Sequence, residues 1–169
     1  MKKIMRLMSI VASSFALGSC AASSMVQGEA NVTVVGANYT NDYIDFALMS
    51  ASGNNLGIGE SAKPFSMGGS GGWSCCAVVP GVGQPLRVKS KVGAFNDAAD
   101  QFKTYEQQVV VAGSMPSPKE KLQSYLSVRF IPNHEVEAEL FASDDSGPEN
   151  PRVDRLFSVG PRVIRHKGE

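Results

Sequence analysis

The chain has little of what most enzymes use near neutral pH: two histidines and three cysteines in 169 residues. His134 falls at an expected hairpin turn and His166 in a basic tail, and neither has a clear orienting carboxylate. That leaves little material for acid–base or nucleophilic chemistry. Net charge is missing too, with 16 basic residues balancing 16 acidic ones, so the chain has no electrostatic footprint for nucleic acid. Beyond Cys20 no stretch reaches the ~20 apolar residues that a membrane-spanning helix needs. No segment sustains an apolar stripe at helical spacing, and no repeat of fixed period occurs, which argues against helical bundles and solenoids.

What is present begins at the N-terminus. Lys2, Lys3 and Arg6 flank an uncharged, largely apolar run from Leu7 to Leu17, followed by Gly18 and Ser19. This is the pattern of a secretory signal peptide, too short to span a bilayer. Leu17-Gly18-Ser19-Cys20 resembles the bacterial lipobox: an apolar residue, two small residues that fit a peptidase groove, and a cysteine whose thiol accepts a diacylglyceryl group. The competing reading is ordinary cleavage nearby, for instance after Ala22, with a free secreted product. The expected organisation is a signal peptide over residues 1–19, a lipidated tether over 20–30, and a globular domain over 31–169 ending in a basic tail. Each buried acyl methylene contributes about 0.8 kcal/mol, so several chains on Cys20 would hold the protein at a membrane. Ala21, where some sorted lipoproteins carry Asp, resembles the pattern that sends lipoproteins to the outer membrane, facing the periplasm.

The remainder reads as mainly β, an antiparallel, sandwich-like single domain. Asn31–Thr40 is rich in β-branched residues and Tyr43–Met49 alternates in part, with Asn41-Asp42 between them, which predicts a hairpin or two closely paired strands. Ser50–Gly72 is glycine-rich with no long apolar run and predicts a long loop. Trp73–Val79 and Leu86–Val92 predict strands, the second with basic residues outward, and Tyr105–Ala112 another. Tyr125–Ile131 and Glu135–Phe141 flank Pro132-Asn133-His134 as a hairpin.

Cys75-Cys76 is the most unusual local feature. Neighbouring Cα atoms lie about 3.8 Å apart, below the ~4.4–6.8 Å usual for disulfides, so a bond between them must distort the backbone. Two free or separately buried thiols, or a link to another chain, are the alternatives, and the oxidising exported compartment favours the vicinal disulfide as the working expectation. The spacing is not Cys-x-x-Cys, and no further cysteine pair or nearby histidine completes a metal site, so neither metal nor cofactor is expected. Gly68-Gly69-Ser70-Gly71-Gly72 formally matches a hydrolase nucleophile elbow, but a glycine-rich loop precedes it and a strand follows, where the elbow needs a strand before and a helix after. Asp144-Asp145-Ser146-Gly147 offers oxygen ligands without the spacing of a calcium loop. If the chain is a binding protein, Gly69, Ser70 and Gly71 in the glycine-rich loop, with Asp144 and Asp145 in the acidic one, are the expected protruding contact elements. Trp73, Tyr39 and Tyr43 are aromatic candidates for either core or binding positions, of which core is the commoner.

Three stretches together carry a family resemblance: Gly36-Ala37-Asn38-Tyr39-Thr40-Asn41-Asp42-Tyr43-Ile44; Gly68-Gly69 ahead of Cys75-Cys76-Ala77-Val78-Val79-Pro80; and Val128-Arg129-Phe130-Ile131-Pro132-Asn133 leading into Val136. On these the chain resembles a proteobacterial lipoprotein family known as domain of unknown function 3304. It departs from the family pattern in lacking a tryptophan after Pro80 and in carrying Arg129 where a histidine is common. The resemblance implies a periplasmic immunity lipoprotein, an antitoxin that binds and inhibits a cognate type VI secretion phospholipase effector. A lipid tether would raise the inhibitor's local concentration where such a toxin works. An envelope assembly lipoprotein with a resident partner, and a small hydrolase using Ser70, are the other two readings.

Overall fold

In the computed structural model, residues 28–115, 123–143, 163–164 and 166–168 are described. Tyr43–Met49 alternates half-buried and buried residues in register, which is what one strand face on a core and one toward solvent require. It forms β2. The same pattern builds β5 (Pro85–Gly93), which points Leu86, Val88 and Ser90 inward and Arg87, Lys89 and Lys91 outward. By contrast β1 (Ala30–Asn38) and β8 (Gln123–Ile131) are buried almost without interruption. Strands covered on both faces are those that tolerate parallel pairing, and β1 runs parallel to β8 from Thr33↔Tyr125 to Asn38↔Phe130.

The remaining strands are β3 (Asn55–Ala62), β4 (Ser70–Val79), β6 (Lys103–Val110), the two-residue β7 (Ala112–Gly113) and β9 (Glu135–Ser143). Together they make one nine-stranded mixed sheet in the order β6-β5-β2-β3-β4-β1-β8-β9-β7. The molecule is mainly β, as its sequence predicts, and the sheet curls until it is nearly a barrel. Its two edges are consecutive pieces of chain: β6 and β7 are separated by Val111 alone, which is buried. Val34, Leu48, Leu86, Leu126, Val128 and Leu140 fill the interior, each with essentially no solvent contact. Burying one such side chain stabilises by about 1.5–3 kcal/mol. On the opposite face of β1, β8 and β9, Val35, Tyr125 and Phe141 form a second, smaller cluster.

Two expectations need correction. β1 and β2 are not a hairpin, since β1 pairs with β4 and β8 while β2 pairs with β3 and β5. Between them the buried Asn38 side chain bonds the Asp42 carbonyl and the Ala62 and Lys63 carbonyls at the end of β3. Finally, Ser50–Gly72 is no long loop; it holds β3, a 3₁₀ turn at Phe65–Met67 and the start of β4. Glycine allows this where side chains would not. A Cβ on Gly71 would sit 2.2 Å from the Ser61 carbonyl oxygen, so β4 can meet β3 only through a residue without one.

Candidate interaction rim

Four connections meet at one end of the sheet: Tyr39–Asp42, Lys63–Gly69, Ala94–Phe102 and Pro132–His134. Asn38 ties the first two of them together. Its Nδ2 donates to the carbonyls of Asp42 (2.7 Å), Lys63 (3.1 Å) and Ala62 (3.3 Å), and its Oδ1 accepts from the Thr40 amide and hydroxyl, both at 2.8 Å. The Asn38 amide donates to the Gly69 carbonyl and the Tyr39 amide to the Phe130 carbonyl. An amide side chain that is fully buried and bonded at both ends rigidifies whatever it joins.

The rim that results is rigid and polar, with an aromatic edge. Asn41, Asp42, Asn133 and His134 are exposed. Asn133 and His134 both hold left-handed backbone conformations, φ 68° and 61°, which cost free energy in non-glycine residues and persist only where their surroundings impose them. The His134 ring stacks on Tyr105 with centroids 4.1 Å apart, and its carbonyl accepts from the Gln107 side chain. Two clefts flank it. One of about 320 Å³ lies between Tyr39–Asp42 and Pro132–His134, and one of about 290 Å³ is lined by Asp42, Asp97, Lys103 and Tyr105. Phe95 stands 51% exposed above Tyr43, edge-to-face at 5.7 Å.

Of the expected site residues only Gly69 belongs to the rim, and it contributes a backbone carbonyl and not a protruding contact. Gly69 is buried in the turn before β4; Ser70 and Gly71 are half-buried in the ladder, opposite Ala37 and Ala62. None of them protrudes, and the clefts that His134 lines do not include Ser70. Cys75 and Cys76 are joined by a disulfide on an exposed stretch of β4. There β4 carries two residues against the single Thr33 of β1, between Val32↔Ala77 and Val34↔Ser74. The bulge, with Cys76 at φ 78°, brings onto one side two side chains that a regular strand would send to opposite faces. Tyr39 is buried and Tyr43 half-buried. Cys20, Asp144 and Asp145 lie outside the described residues, as does the Trp73 side chain.

Sequence reasoning passed over His134, Asp42 and Phe95 as parts of one surface. A usable signal was present in Asn38-Tyr-Thr-Asn-Asp and Pro132-Asn-His, both dense in turn-forming side chains. Among the described residues no group of three or more His, Cys, Asp or Glu side chains is placed to hold a metal, and no helix is long and apolar enough to cross a membrane. The chain matches no family model, no curated protein and no solved structure.

Proposed function

We propose that this chain is a periplasmic immunity lipoprotein, anchored through Cys20, that binds and inhibits a cognate phospholipase-type toxin of the type VI secretion class through the rim. The observation that carries the reading is the placement of that rim. β1 starts at Ala30, the last residue of the proposed tether, and ends at Asn38 beneath the rim, so its nine residues separate the two by roughly 26 Å. A protein held by lipid at the first end presents the second to the periplasm. The Tyr39–Asp42 and Lys63–Gly69 connections are fixed through the buried Asn38 side chain before any partner arrives, which limits the ordering cost of association. Phe95, exposed against Tyr43, supplies an aromatic anchor, and Asp42, Asp97, Lys103 and His134 line a cleft in the same rim, a combination suited to a binding hot spot. Ser70 lies in a strand ladder, away from His134, and this favours inhibition by covering the toxin over hydrolysis by the chain itself.

The test uses residues 21–169 as bait against lysate and secreted protein of the source cell, with mass spectrometric identification and a lipase assay on what is captured. The expected result is one phospholipase-like partner at near-equal amount with its activity suppressed. Phe95→Ala and His134→Ala should each weaken that capture by about tenfold or more, as truncating a hot-spot residue does, with unfolding midpoints unchanged. Resident envelope proteins in its place would support an assembly role and overturn the immunity reading.

A further inference from the structure

The two ends of the sheet differ in charge. The rim carries Asp42, Asp97, Lys103 and His134. The opposite end is where β1 starts; there Ala30 pairs with Val79, Met49 with Asn55 and Pro85 with Val110. Its three stretches, residues 49–59, 78–86 and 109–115, contain no charged side chain. The charged groups that flank them are Glu29, next to β1, and Arg87, which is held by Glu106 at 2.8 Å and by the Ala51 carbonyl at 3.1 Å. The next charges in sequence before β8 and after β9, Lys121 and Asp144, lie outside the described residues, and the surface is drawn over β1 to β6 alone.

Apolar side chains take the place of the missing charges. Val78 and Val110 are 51% and 64% exposed, and Leu56, Val82 and Met115 are half-buried, packed against the core. The turns at this end are fixed. The Gly83 amide donates to the Val111 carbonyl at 2.8 Å and the Val111 amide to the Gln84 carbonyl at 3.0 Å, while Ser50 Oγ accepts from the Asn54 amide at 3.0 Å. A rigid, uncharged end that shows apolar side chains gains by losing its water to a neighbour.

What that neighbour is follows from where the chain enters. Ala30 sits at this end, and residues 21–29 connect it to Cys20, so even fully extended they reach at most about 30 Å. On the lipid-anchored reading of Cys20, we infer that this end of the sheet docks on the phospholipid surface beside its own anchor, with the turns at 50–54 and 80–84 and the side chains of Val78 and Val110 entering the headgroup layer. So short a leash keeps the patch at high local concentration over the bilayer, and weak apolar contacts suffice. An uncharged patch draws nothing from anionic lipid, so a zwitterionic phosphatidylcholine surface is enough. Docking also sets the direction of the rim, which β1 holds roughly 26 Å away from the bilayer.

The test couples the chain from Cys20 to Glu169, which contains every described residue, through the Cys20 thiol to a maleimide-headgroup lipid in dioleoylphosphatidylcholine vesicles. Cys75 and Cys76 are joined to each other and do not compete. The coupling itself supplies the anchor, so a failure to dock is distinguishable from a failure of cellular lipidation, which the intact mass of the cell-derived protein reads separately. Amide exchange is compared with that of the same chain capped by N-ethylmaleimide beside plain vesicles. Exchange over 50–54, 80–84 and 111–115 should slow by about threefold or more on coupling, and exchange over 39–42 and 132–134 should not change. Val78→Asp and Val110→Asp should each reduce the slowing and together abolish it, because a charge is costly to bring out of water, while the unfolding midpoint of the capped chain stays the same. Equal exchange with and without coupling overturns docking, as does slowing at the rim or slowing that survives both substitutions. Slowing that rises with the density of coupled protein identifies a second copy as the occupant and overturns it equally.

Discussion

At the scale of single residues, two buried polar side chains with opposite fates measure what the fold demands. Asn38 satisfies three carbonyls and one amide of the surrounding chain, so removing it strands several buried groups at once. Each orphaned group costs about 1–3 kcal/mol. Asn38→Ala should lower unfolding free energy in urea by about 3 kcal/mol or more. Ser127, paired between Val35 and Glu139, is as fully buried, yet its hydroxyl has no hydrogen-bond partner. Ser127→Ala removes an unsatisfied group and should stabilise by about 1 kcal/mol in the same titration. Neither role is visible in sequence, because an asparagine and a serine in β-rich stretches carry no mark of whom they will meet.

At the scale of elements, the disulfide acts on shape more than on stability. A link between adjacent residues closes the smallest possible loop, for which the chain-entropy account gives only about 1 kcal/mol. What the site requires is the left-handed backbone at Cys76, which glycine can adopt freely. The pair Cys75→Ser/Cys76→Gly should therefore keep native stability within about 1 kcal/mol, while Cys75→Ser/Cys76→Ser should fall below it by roughly a further 1 kcal/mol. Matched thermal melts compare the two. The cysteine pair was legible in sequence as a distortion of the strand. The bulge against Thr33 that accommodates it was not, because it depends on the register with β1. The same limit explains the misread loop: Asn55–Ala62 alternates poorly and is rich in glycine, and only its neighbours make it a strand.

At the scale of the whole molecule, closure rests on two residues of β7. Gly113 sits at φ 93°, and a Cβ there would lie 2.0 Å from the Leu140 carbonyl oxygen. Gly113→Val should break the β7–β9 ladder, widen the seam and speed amide exchange along Glu139–Phe141, with a loss of about 2 kcal/mol. Exchange left unchanged there would show that the seam is held by other contacts. The sequence by itself determined the β class, through period-two runs and the lack of any helical stripe, and it marked most strand positions, because burial of one face is written in local alternation. It also carried the signal-peptide pattern and the lipobox resemblance. Only the tertiary structure decided that β1 lies between β4 and β8, that four distant connections meet in one rim, and that the sheet stops short of closing. Those outcomes depend on pairings between residues far apart in the chain, and strand pairing is chosen by complementary burial across the sheet, which no local pattern encodes.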